Sequence, residues 1–146
     1  MTDLAHALVP LVVTLPLLGA GLTLVSVRKP RLQITISVAV LAIIIVIASI
    51  LLVTVDDGAP IAVAVADWPI LSGIVLYVDR LAALLLLISA IVLIAVLLFS
   101  IGQGAADPDD ETPVSIFYPS YLILAAGIFN AFIAGDLFNL YVGFEI

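Results

Sequence analysis

Four stretches of this chain, Leu4 to Val27, Leu32 to Val55, Leu81 to Ile101 and Val114 to Ala134, contain no Asp, Glu, Lys or Arg. Each is long enough to cross a bilayer as a helix, which takes roughly 20 residues for about 30 Å of hydrocarbon. Of the 146 residues, 65% are hydrophobic and 10% are charged, too little polar surface to clothe a water-soluble core. The expected class is an all-α polytopic membrane protein. The first run follows an acidic "MTD" where a cleaved signal needs basic residues, and Pro10 and Pro16 interrupt it. It reads as a retained, kinked helix packed in protein, because carbonyls freed by proline need partners that lipid does not offer.

The formal net charge of -7 resides in the short connections. With no basic patch to neutralise phosphates, nucleic acid is not an expected partner. Cysteine is absent, which excludes disulfides, thiolate metal sites and cysteine nucleophiles. His6, the single histidine, cannot build a multi-histidine metal site and reads as an interfacial side chain of the first span. No metal and no cofactor is expected.

Three of the four basic residues lie in "RKPR" between the first two runs, which puts that connection on the cytoplasmic side. The expected order is then an outside N-terminus, helix 4–27, helix 32–55, an external segment 56–78, helix 79–101, a cytoplasmic loop 102–113 and helix 114–134. Asp79 and Arg80 fall at the outer end of the third helix. They read either as a locally neutralised anchor or as a functional interfacial charge pair. In the external segment, Ile61 to Ala66 alternate Ile or Val with Ala, and "GIVLYV" follows a break holding Trp68, Pro69, Ser72 and Gly73. That pattern predicts two short strands around a turn, a small external β-hairpin with Trp68 and Tyr77 at an aromatic belt. A plain interfacial loop is the competing reading.

The last stretch, "GDLFNLYVGFEI", begins a fifth helix at 136–146. Gly135 suits a reversal, and Asp136 suits the cap and the positive end of the new helix. A role for Asp136 where ions enter stays open. Glu145 lies nine residues further on, roughly 13 Å at 1.5 Å per residue, which is near the bilayer midplane. An ionised carboxylate there costs at least a few kcal/mol, so it must be protonated, paired with a cation or hydrated. The competing reading, Glu145 at the cytoplasmic interface, requires the fifth helix to end almost where it begins. A helix that has only begun implies a longer protein. Asn130 and Asn139 are candidates to line a polar path, or else bridge helices.

"FYPSYLILAAGIFNAFIAGDLFNLYVGFEI" resembles the fourth and fifth helices of the D-type subunit of the Mrp-type multisubunit sodium/proton antiporters, a family related to the antiporter-like subunits of respiratory complex I. "YVDRLAALLLLISAIV" resembles the third helix of that family. The resemblance implies a fold of inverted repeats in which Glu145 is the ion-translocation carboxylate, paired with a lysine on a later helix. It implies other membrane subunits as partners, protons and monovalent cations, sodium first, as cargo, and a bacterial or archaeal cell membrane as location. By this resemblance the chain is a secondary transporter subunit and not an enzyme. Two alternatives remain: a proton-pumping antiporter-like subunit of complex I or a membrane-bound hydrogenase, and a non-transporting scaffold in which Glu145 only pairs with a partner.

Overall fold

A computed structural model describes residues 2–26, 28–56, 58–64, 74–104 and 116–146. Among the described residues the elements run α1 (Thr2–Val25), α2 (Pro30–Asp56), β1 (Ile61–Ala64), β2 (Val75–Val78), α3 (Arg80–Gly102), α4 (Phe117–Ile133) and α5 (Leu137–Glu145). Local chemistry explains several ends. Pro30 opens α2, where its fixed φ suits a helix and its missing N–H costs nothing. Asp79 caps α3 by accepting the Ala82 N–H at 2.7 Å. After the last turn of α3, Gly104 takes a left-handed φ of 68° and closes the helix by donating to Ile101 O. Helix α1 continues through Pro10 and Pro16.

Three helices are long and apolar enough to cross a membrane: α1 from Leu4, α2 and α3. The fourth apolar helix, α4, has 17 residues, about 26 Å at 1.5 Å each. It was expected over 114–134; residues 114 and 115 lie outside the described residues, and Ala134 leaves the helix for extended geometry (ψ 118°). The cause is tertiary, since Ala134 forms an antiparallel bridge with Leu76 of β2.

Strands β1 and β2 pair antiparallel with Ile61 opposite Val78, Ala62 opposite Tyr77, Val63 opposite Leu76 and Ala64 opposite Val75. The expected turn at Trp68, Pro69, Ser72 and Gly73 lies outside the described residues, as do residues 105–113 of the predicted cytoplasmic loop. Ile61, Leu76 and Val78 are buried, so the strands rest on the helices.

Helix α1 packs along α2 and α4, α2 along α3, and α5 along α4. Core positions recur at three and four residues: Leu41, Ile44, Ala48 and Leu51 on α2, and Ala83, Leu86, Ala90, Leu93 and Leu97 on α3. Large apolar residues such as Leu18, Val46, Ile88 and Phe99 cover the outside. That inversion of a soluble surface suits lipid or further membrane helices. Because β1 follows α2, β2 precedes α3, and Ala134 joins β2 just before α5, these ends all meet at one end of the bundle.

Candidate functional site

One connected set of polar contacts lies where β2, the α4–α5 connection and α5 meet. Asp136, in that connection and outside both helices, uses both carboxylate oxygens. Oδ1 accepts the Asn139 N–H at 2.7 Å, which caps α5, and Oδ2 accepts the Val75 N–H at 3.0 Å from β2. The Val75 and Asn139 N–H groups hold its carboxyl below the usual carboxylate range, because each bond favours the charged form. A depressed value means that these contacts contribute at neutral pH and are lost only as pH falls through it. Next to Asp136, the Gly135 N–H donates to Val75 O at 2.8 Å. Residue 135 approaches the strand so closely that a Cβ there would sit 2.8 Å from Val75 O.

One turn into α5, Asn139 is almost fully buried and receives Asn130 of α4. The Asn130 amide Nδ2 donates to the Asn139 backbone oxygen and to its side-chain oxygen, each at 3.1 Å. A ladder of hydrogen bonds thus runs from β2 through Asp136 and Asn139 to Asn130. Nδ2 of Asn139 has no hydrogen-bond partner among the described residues. Asn130 and Asn139 line a mostly apolar cleft of about 240 Å³ that also touches Pro10 and Thr14 of α1, Leu76 and Val142.

Glu145 ends α5 and is exposed on the bundle surface. It shares a face with Leu137, Phe138, Tyr141 and Phe144, all exposed, while Asn139 and Gly143 on the opposite face are buried. The Tyr141 hydroxyl interacts with the Glu145 carboxylate across one helical turn. Two glycines allow α5 to lie close against α4: a Cβ on Gly127 would meet Gly143 O at 2.9 Å, and one on Gly143 would meet Ala131 N at 3.0 Å. The same approach brings Ile146 beside Gly127, six residues from Ile133 and ten from Phe117. The Glu145 turn therefore sits beside the interior of α4 and not beside either of its ends.

Arg80 and Asp79 do not pair with each other. Asp79 is occupied as the α3 cap, and the Arg80 guanidinium forms an ion pair with Asp56 at the end of α2. Adjacent residues across a helix start point apart, which favours a partner from the neighbouring helix end. His6 is exposed on α1. No group of three or more His, Cys, Asp or Glu arranged to hold a metal occurs among the described residues.

Sequence reasoning passes over four contributors. Tyr141 was readable from its four-residue spacing to Glu145, and Asp56 from its place beside the hairpin. Gln33, the one carboxamide in the second apolar run, is fully buried and donates to Thr23 O of α1 at 3.0 Å. Val75 carried no signal at all, because it acts through its backbone.

No protein-family model matches the chain. It is 36% identical over 134 residues to the D-type subunit of the Na+/H+ antiporter of Bacillus subtilis (strain 168), an alignment covering 92% of this chain and 26% of that protein. It superposes on a chain of the Mrp complex from Dietzia sp. DQ12-45-1b with a TM-score of 0.87 at 30% identity, covering 97% of this chain and 25% of that one. A chain of the membrane-bound sulfane sulfur reductase, an archaeal respiratory membrane complex, matches with a TM-score of 0.81 at 28% identity over 94% of this chain and 28% of that one. The chain spans about a quarter of the length of the relatives it matches. Over nearly all of its own length it is homologous to part of the D-type subunit of the Na+/H+ antiporters, and its own apolar helices fit a multi-pass membrane protein.

Proposed function

We propose that this chain is the N-terminal portion of a cation/proton-translocating membrane subunit of a multisubunit antiporter, with Glu145 as its ion-translocation carboxylate. The observation that carries the reading is the level of Glu145: its turn lies beside Gly127, within the length of α4. If α1 to α4 all span, a carboxylate at that level stands well inside the hydrocarbon, where it is tolerated only protonated, hydrated or beside a cation. Each of those states is a state of ion transfer. In this reading the RKPR connection is cytoplasmic and the N-terminus is outside. The β1–β2 pair then lies on the outer face, between the second and third spans, and α5 enters from that face as the start of a fifth span.

Asn130 and Asn139 are the proposed polar groups of a path on the buried side of α5, across the helix from Glu145, and Asp136 stands at the outer end of that helix. The exposed α5 face bearing Glu145 is where a cationic side chain from elsewhere in the subunit belongs. Sodium is the proposed cargo cation, on the strength of the relative's name. Other membrane subunits are the proposed partners, since the solved relatives are parts of complexes. The likeness to the sulfane sulfur reductase supports a second reading, an antiporter-like subunit in a redox-driven complex. The two readings share the role of Glu145 and differ in what drives transport.

The test is Glu145→Gln in the assembled complex, with cation-dependent proton movement followed in inverted membrane vesicles. Transport is expected to vanish while the amount of complex in the membrane is unchanged. Undiminished transport would overturn the site, and loss of assembly would favour the scaffold reading.

A further inference from the structure

Both oxygens of Asp136 are committed to protein, one to each of two elements that the chain separates by about 60 residues. Val75 is the first residue of β2, and its N–H and C=O both turn toward the α4–α5 connection, to Asp136 Oδ2 and from Gly135 N. The neighbouring Leu76 bridges Ala134. Residues 134 to 136 thus continue the sheet as a short third edge. The same carboxylate caps α5, and the capped residue Asn139 is in turn held by Asn130 of α4. Three elements are therefore tied to the first turn of a nine-residue helix whose last residue is Glu145. A rigid helix transmits rotation and translation at one end to the other, so whatever fixes Asp136 fixes the direction in which Glu145 points.

We propose that Asp136 is a positioning residue: its carboxylate clamps the strand pair to the start of α5 and so sets the depth and rotation at which Glu145 is presented. The inference rests on the role given to Glu145 above and replaces a role for Asp136 in admitting ions. A clamp needs two engaged oxygens and fixed neighbours, and both oxygens of Asp136 are engaged by backbone N–H groups of β2 and α5. Losing the clamp displaces the transfer site, and a displacement on the order of 1 Å is enough to lower a transfer rate about ten- to a hundredfold.

The decisive comparison is between Asp136→Asn and Val75→Pro, each in the full-length assembled complex. Val75→Pro removes the strand N–H at a strand start that tolerates proline and leaves the Asp136 charge untouched. A clamp predicts that both variants lower maximal transport by at least about fivefold with the apparent KM for the cation unchanged, and that the double variant is no worse than either single one. A raised KM in Asp136→Asn with normal transport in Val75→Pro overturns it.

A second readout does not depend on transport. These 146 residues hold no cysteine, so Leu76→Cys with Ala134→Cys, in a full-length protein cleared of any cysteine elsewhere, places one pair across the bridge. The pair is expected to cross-link readily on oxidation, more slowly when combined with Asp136→Asn, and once formed to restore maximal transport to that variant. A cross-link whose rate ignores Asp136, or which forms without restoring transport, overturns the clamp. If Glu145→Gln proves fully active while the cross-link rate still follows Asp136, the role of Glu145 has failed and the clamp itself has not.

Discussion

Asn130 grips Asn139 at two points, its amide reaching both the backbone and the side-chain oxygen at 3.1 Å. The two residues are on different helices, and both are buried. These two hydrogen bonds tie the first turn of α5 to α4.

Asn130→Leu is expected to leave those oxygens without their donor and lower the stability of the α4–α5 contact by about 1 to 2 kcal/mol. Thermal unfolding of the purified complex, or resistance of α5 to protease, measures it. An unchanged profile would show that the contact does not hold the helices together.

Close approach at the two glycines makes a sharper forecast. Gly143→Ala puts a Cβ about 3 Å from backbone of α4, and Gly127→Ala puts one 2.9 Å from backbone of α5. Backbone cannot swing aside as a side chain does, so each is expected to cost about 1 to 3 kcal/mol. Gly21→Ala, on α1 with nothing within 4 Å, is the control and is expected to be neutral or to stabilise by up to about 1 kcal/mol. Equal effects at all three sites would sink the packing account.

At the start of α3 the cap and the ion pair should differ in weight. Asp79→Ala loses the bond to Ala82 N–H and is expected to cost about 1 kcal/mol, while Asp79→Ser recovers most of it. Arg80→Ala breaks an exposed pair with Asp56 and is expected to change stability by less than about 0.5 kcal/mol, and less still at high salt. Chemical denaturation of the set at two ionic strengths separates the two.

Tyr141→Phe keeps the ring and removes the hydroxyl that interacts with Glu145. Maximal transport is expected to fall a few-fold, far less than with Glu145→Gln, with the complex assembled normally. Transport equal to wild type would mean that the hydroxyl has no part in transfer.

Length and hydropathy alone determine that this chain is built of membrane-length helices, since backbone groups in lipid must be satisfied within the helix and no charged residue interrupts the runs. The cap at Asp136 was legible for a related reason: a short polar side chain before an apolar run has one obvious local use. Facing was not legible. Ile43 and Ile44 are both isoleucine, yet one is exposed and the other fully buried, because lipid and core both accept apolar groups and no polar stripe marks the difference. Only tertiary contact turned Arg80 from Asp79 to Asp56, ended α4 at Ala134 and joined Val75 to Asp136 across the chain. Those choices rest on backbone donors and on the distance between distant segments, and neither is written in the identity of a residue.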